Sequence, residues 1–185
     1  MTLKPLGDSA WLVEFPGKSG EAALARVMGL VDALQTNRPA GVLDVVPSFD
    51  SVAVHFECAD GLEILEWIRS ATVVDRLPSG EERQIPVCYG GEHGPDLEEV
   101  AEKSGMSAEE VIALHSGATY TVAAVGFSPG FPYLSGLPER LNVPRRKTPR
   151  LSVPAGSVAI AGGQAGIYPF ASPDRKSTRL NSSHT

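Results

Sequence analysis

The 185 residues suffice for one complete domain and a second, smaller one, and 42% hydrophobic with 21% charged residues is the balance of a globular chain able to bury a core. Fifteen prolines and nineteen glycines exceed what a helical bundle carries and leave loop-rich α+β or β architectures. A formal net charge of −6 argues against nucleic acid as the main partner. No stretch approaches the ~20 apolar residues of a membrane-spanning helix, and the start of the chain, with an early Asp8 and no apolar run, is not a secretory signal. A cytoplasmic protein with no membrane partner is expected.

In chain order, Trp11–Phe15 predicts a short strand. From Ser19 a helix follows, with Leu24, Val27, Met28, Val31 and Leu34 spaced along one apolar face, and Asn37, Arg38 and Pro39 end it. Val42–Val46 is a second strand. Ser51–Glu57 alternates, with Val52, Val54 and Phe56 on one face, as a half-buried strand does. Asp60 and Glu63 form a capping-box pattern before a helix whose inner stripe is Leu62, Leu65 and Ile68, with Ile64 and Trp67 at its edges. Arg83–Tyr89 would supply the fourth strand. The order strand, helix, strand, strand, helix, strand is a split βαβ, ferredoxin-like unit, with its boundary in the Leu77–Glu82 turn, which gives residues 1–82, or just after Tyr89.

Residues 83–173 continue with a helical pair. Pro95, Asp96, Glu98 and Glu99 suit a helix N-terminus, Gly105 stops that helix, and Ser107 with Glu110 forms a second capping box for Ala108–His115. Tyr120–Val125 reads as a strand. Glycine and proline then recur every few residues to Pro173, with short apolar pieces between them, the texture of a β-barrel or sandwich. These residues are too few to close an ordinary eight-stranded barrel, so an incomplete barrel of poor solubility is expected. Residues 174–185 turn abruptly basic and polar. Asp174–His184 resembles the in-frame translation of a sequencing-library adapter, and the stretch is expected to be an artefactual or disordered tail. Without its Arg175, Lys176, Arg179 and Asp174, 13 cations and 21 anions remain, a net charge of −8.

Three stretches are candidates for chemistry. In GFSPGFPYLSGLP, Gly126–Pro138, three X-Pro bonds and three glycines shape a loop whose backbone can approach a ligand, and Phe127, Phe131 and Tyr133 offer an aromatic wall. A rigid loop packed on the barrel, with Phe127 and Phe131 as core anchors, accounts for the same residues. Next, Arg140, Arg145, Arg146, Lys147 and Arg150 gather five cations within eleven residues of an acidic chain. That suits bidentate binding of carboxylate or phosphate, or a solvated loop paired with the acidic first domain. In the third stretch, Gly162 and Gly163 permit close backbone approach beside Gln164, which offers donor and acceptor together.

Between Ser116 and Pro173 there is no Asp, His or Cys, and Glu139 is the sole acid. A Ser-His-Asp or Cys-His site would have to borrow His115 or residues from the first domain. His115 ends a helix ahead of the Gly126 loop, where it can serve as general acid or base, or sit stabilised by the helix dipole. His55 and His93 lack partners at ligand spacing, so no metal site is expected. Cys58 and Cys88 read as buried or half-buried thiols, and no P-loop motif occurs. The segment VAEKSGMSAEEVIALHSG mimics a helix-turn-helix, but its second helix carries Glu109 and Glu110 and no Lys or Arg, which excludes DNA binding.

The GDSA of Gly7–Ala10, YGGEHGPDL, GFSPGFPYLSGLPERL, PRRKTPR, VPAGSVAIAG and QAGIYPFASP resemble, in order and spacing, the bacterial 5-oxoprolinase B-subunit family, also described as KipI or allophanate hydrolase subunit 1. The resemblance runs from Met1 to Pro173. Family members usually continue with GGW after the Ser-Pro pair, where Asp174 stands here. It implies a cyclophilin-like β-barrel as the second domain, and ATP-dependent opening of 5-oxoproline to glutamate together with the C and A subunits of 5-oxoprolinase. ATP with Mg²⁺ would be bound in the complex rather than by a motif of this chain, and the isolated chain would be inactive. His115, Arg145 and Arg150 are the candidate catalytic residues, the two arginines for a carboxylate or phosphate. Gly126, Phe127, Pro129, Gly130, Phe131, Tyr133, Gln164 and Tyr168 are the candidate lining of a site for a small cyclic amide. The family also includes inhibitors of a sporulation histidine kinase, and a component of a urea or allophanate pathway is a further alternative.

Overall fold

The computed structural model describes residues 1–18, 20–57, 60–77 and 79–173, and the backbone of 178–183. The chain divides into two compact α+β units, Met1–Gly80 and Glu81–Thr185.

The first unit is an antiparallel sheet of four strands, β1 (Thr2–Pro5), β2 (Ala10–Glu14), β3 (Val42–Pro47) and β4 (Ser51–Phe56), in the order β1-β2-β4-β3. Helix α1 (Gly20–Ala33) links β2 to β3, and α2 (Gly61–Ser70) follows β4. Strict alternation on β4 buries Val52, Val54 and Phe56, which pack with Val13 and Phe15, with Val27, Leu30 and Leu34 from the α1 side, and with Ile64 and Ile68 of α2. Asp60 caps α2 by accepting from the Leu62 N–H at 2.9 Å. That start sets the helix phase so that Ile64, Leu65 and Ile68 are buried while Leu62 is 67% exposed, which moves the inner stripe off Leu62.

The expected fourth strand is corrected. Arg83–Tyr89 does not join this sheet; β1, unpredicted, pairs with β2 instead, Thr2 opposite Glu14 and Pro5 opposite Trp11. Only Val87–Tyr89, β5, is extended, and it belongs to the second sheet. Residues 83–86 are all exposed, an arginine, a glutamine, an isoleucine and a proline, with no alternating apolar face to bury.

In the second unit, helices α3 (Leu97–Ser104) and α4 (Ala108–Ser116) precede strands β6 (Thr121–Val125), β7 (Pro132–Ser135), β8 (Ser157–Ala161) and β9 (Gln164–Ile167). The Ser107–Glu110 capping box forms as expected. Ile160 and Ala165, opposite one another on β8 and β9, face Leu97, Val100, Ala101 and Val111 of the helices. Alternation turns Ala159 to the other face, where it packs with Phe131, Tyr168 and Val153.

The stretch 174–185, expected outside the fold, lies partly within it. The backbone of Thr178–Ser183, β10, runs antiparallel between β5 and β8, with Ser182 opposite both Cys88 and Ser157. Main-chain pairing with strand edges asks only for an extended backbone, not for a particular side-chain pattern. Cys88, expected as a buried or half-buried thiol, is exposed; Cys58 lies outside the described residues.

Candidate functional site

The residues expected to line one pocket divide between the two ends of β9. Gln164 opens the strand beside the Gly162–Gly163 turn, while Tyr168 follows its last residue. Four residues of extended chain, about 13 Å, separate them.

At the Tyr168 end, Gly126–Phe131 closes the hairpin of β6 and β7. Gly126 N–H donates to the Phe131 carbonyl at 3.1 Å, and the Phe131 N–H returns to the Ser128 carbonyl at 3.0 Å. Inside this closure the Ser128 N–H reaches back to the Gly126 carbonyl at 2.8 Å, a γ-turn that holds Phe127 at φ 69°. A bulky residue there is an outlier, and such strain collects at ligand-handling loops. Phe127 is 41% exposed and stands edge-on to Phe131 at 5.3 Å and to Tyr168 at 6.3 Å. Phe131 and Tyr168 are buried, and Tyr133 lies 5.0 Å from Phe131. Pro129 and Gly130 are exposed at the loop tip, and Gly126 is half-buried. The expected long loop is therefore shorter, since Pro132–Ser135 is strand.

At the other end, Arg145 is exposed, and its Nε lies 3.9 Å from where a side chain on Gly162 would begin. The Asn142 amide lies 3.7 Å from the equivalent point on Gly163. Gln164 is half-buried.

Arg150 turns the other way. It donates from Nη1 to Asp96 Oδ2 at 2.8 Å and from Nη2 to Oδ1, a bidentate grip on a buried carboxylate. Arg146 donates from Nη1 to the same Asp96 Oδ1 and to Glu99, each at 3.0 Å. Lys103, one turn further, bonds Glu99 and is the main cause holding that carboxyl below its usual range. From the sequence, Asp96 and Glu99 suit the helix N-terminus only for the dipole, and neither they nor Arg146 enter the candidate site. An acid pair three residues apart and a cation cluster of the same unit are the signals that could have found them.

His115 is 5% exposed, and its Nδ1 shares a hydrogen bond of 2.6 Å with the Tyr89 hydroxyl. The Tyr120 hydroxyl donates to the His115 carbonyl at 3.0 Å, its ring 5.3 Å from the imidazole. Burial lowers the imidazole to about 4, so it is neutral near pH 7. Burial likewise raises the Tyr120 hydroxyl.

Chemically, the unit offers exposed guanidinium beside a backbone turn at one end of β9 and a strained aromatic cover at the other. The first suits an oxyanion, the second a flat apolar face. Among the described residues no helix is long and apolar enough to cross a membrane.

Residues 1–174 match the family described as carboxyltransferase domain, subdomain C and D. The chain is 38% identical over 190 residues to the 5-oxoprolinase B subunit of Bacillus subtilis, covering 92% of this chain and 78% of that protein. The crystal structure of TTHA0988 superposes with a TM-score of 0.81 at 36% identity, over 95% of this chain but only 35% of that longer one. K. lactis urea amidolyase shares the fold at 15% identity, with a TM-score of 0.78 over 99% of this chain and 13% of that chain. The chain belongs to the 5-oxoprolinase B-subunit family, within the carboxyltransferase subdomain C and D group.

Proposed function

We propose that the chain acts as the B subunit of a cytoplasmic, ATP-dependent 5-oxoprolinase, opening 5-oxoproline to L-glutamate together with the A and C subunits. The observation that carries this reading is the 38% identity along 92% of the chain with a protein named for that role. In the same reading the first unit is a ferredoxin-like variant and the second a cyclophilin-like barrel.

A lactam is a poor electrophile. When bound, ATP, with Mg²⁺, supplies the phosphoryl group that makes ring opening feasible, and the protein's part in such transfer is positioning and electrostatics. The exposed Arg145 beside Gly162, with Gln164 adjacent, suits a substrate carboxylate or a phosphoryl oxygen. Arg150 supports that stretch through Asp96. The strained Gly126–Phe131 loop, with Phe127 over Phe131 and Tyr168, suits the flat face of a small ring. In this reading the partner subunits supply the proton-transfer groups and the chain alone is inactive; the scarcity of such groups in residues 117–173, where Glu139 is the sole acid and Asp, His and Cys are absent, supports it.

The test is reconstitution with the A and C subunits and measurement of glutamate released from 5-oxoproline with ATP. Activity that needs this chain, and falls at least tenfold with Arg145→Met, supports the reading. An active complex indifferent to Arg145→Met removes the arginine from it. No release from 5-oxoproline, with turnover of urea or allophanate instead, overturns the substrate.

A further inference from the structure

The cationic stretch is sorted by direction. Arg146 and Arg150 turn inward to a single carboxylate, Asp96, while Arg145 and Lys147, on either side of Arg146, are exposed and carry no ion pair among the described residues. The stretch is pinned at its ends by apolar residues. Val143 is 2% exposed and its carbonyl accepts the Gly162 N–H at 2.9 Å, and Val153 is 1% exposed and pairs with Ser172. Between these anchors Asp96 holds both arginines, and Glu99 also holds Arg146. Asp96 stands at the N-terminus of α3, where the helix dipole favours a negative charge, and its burial fixes it in place.

We infer that Asp96 is the positioning residue of this stretch: by holding Arg146 and Arg150 it sets the backbone between them, and so turns Arg145 and Lys147 outward as a paired cationic face beside the Gly162–Gly163 turn. The face takes one anionic group, a carboxylate or phosphoryl oxygen. A single guanidinium or ammonium on a loose loop loses side-chain and backbone entropy on binding; one on an anchored loop loses less. The ligand half of this inference rests on the function proposed above, whereas the anchoring half does not.

Two readouts separate the halves. Limited trypsin digestion of the purified chain reports the stretch directly, since Arg145, Arg146, Lys147 and Arg150 are followed by residues other than proline. Asp96→Asn is expected to speed cleavage there at least tenfold while other sites cut at the native rate. Unchanged cleavage in the stretch overturns the anchoring. If Asp96→Asn does not fold, Arg146→Gln removes one of the two arginines that Asp96 holds and is expected to give a smaller acceleration at the bonds after Arg145, Lys147 and Arg150; no acceleration overturns the anchoring equally. In the complex with the A and C subunits, Asp96→Asn is expected to raise one KM at least fivefold with kcat within twofold. A rise for 5-oxoproline names the carboxylate as the ligand, and a rise for ATP names the phosphate. A loosened stretch with both KM values unchanged overturns the cationic face, and a wild-type complex with no turnover overturns the functional reading while the cleavage result still stands.

Discussion

Arg150 and Asp96 meet fork to fork, two nitrogens on two oxygens, with the carboxylate side chain 4% exposed and the guanidinium 25% exposed. Exposed ion pairs contribute about 0–1 kcal/mol, but taking one partner from a buried pair costs about 3–5 kcal/mol because the other charge is left unmatched. Asp96→Ala leaves two guanidinium groups without their shared acceptor, so a loss near the upper range is expected in urea unfolding. Arg150→Lys keeps the charge and loses the bidentate geometry, and should cost about 1–2 kcal/mol. A loss under about 1 kcal/mol for Asp96→Ala would mean the pair behaves as a surface pair.

Much of the first unit was legible because one periodicity dominated each element. Ser51–Phe56 alternates without a fault, and α1 has a clear stripe, although Leu30 rather than Met28 or Val31 is fully buried. Where two phases fitted equally well, as with Leu62 and Ile64 on α2, the cap decided and the sequence pattern did not. Strand β1 was missed because Thr2–Pro5 has one half-buried residue, Leu3, and its partner is ten residues away across a turn. The site was legible as three stretches but not as a geometry. Residue types announced aromatics, cations and a glycine turn, but β9 sets them at opposite ends, and only the folded chain shows which arginines turn inward to Asp96.

Gly29 sits mid-helix, where replacing glycine by alanine ordinarily adds about 1 kcal/mol of stability. Here the sign reverses. A Cβ on Gly29 would lie 2.0 Å from the Val74 carbonyl oxygen, because the segment after α2 lies against α1, with the Arg76 N–H donating to the Ala25 carbonyl at 2.9 Å. The obstacle is backbone, not a side chain that can swing aside. Gly29→Ala is therefore expected to lose about 1–3 kcal/mol in a urea melt. A stabilised variant would show that this segment does not pack on the helix.

Phe127 offers a second reversal. Its φ of 69° costs an L side chain about 1–2 kcal/mol, a penalty glycine escapes. Phe127→Gly should therefore be more stable than Phe127→Ala by about 1 kcal/mol, even though both lose the edge contacts with Phe131 and Tyr168. Measured by thermal melts of the two variants side by side, the order Ala above Gly would remove the strain argument. In the reconstituted complex both variants should raise KM for 5-oxoproline if the ring faces the substrate.

His115 makes the stability of the second unit depend on pH in a window apart from the carboxylates. Burial lowers its folded value to about 4, against an ordinary value of 6.5. Between those values the unfolded chain binds a proton that the folded chain refuses, so stability rises with pH through the window. The contribution is fully present above about pH 6.5 and is lost as pH falls toward 4, by about 3 kcal/mol at most. Most carboxylates titrate below about pH 5, so the interval from pH 6.5 to 5 isolates the imidazole. The wild-type midpoint in urea should fall across that interval. His115→Asn cannot take up the proton, and although it starts lower at pH 7, its midpoint should stay nearly flat over the same range. A parallel fall in both proteins would mean that another group carries the dependence and that the imidazole between Tyr89 and Tyr120 reaches water more readily than its 5% exposure implies.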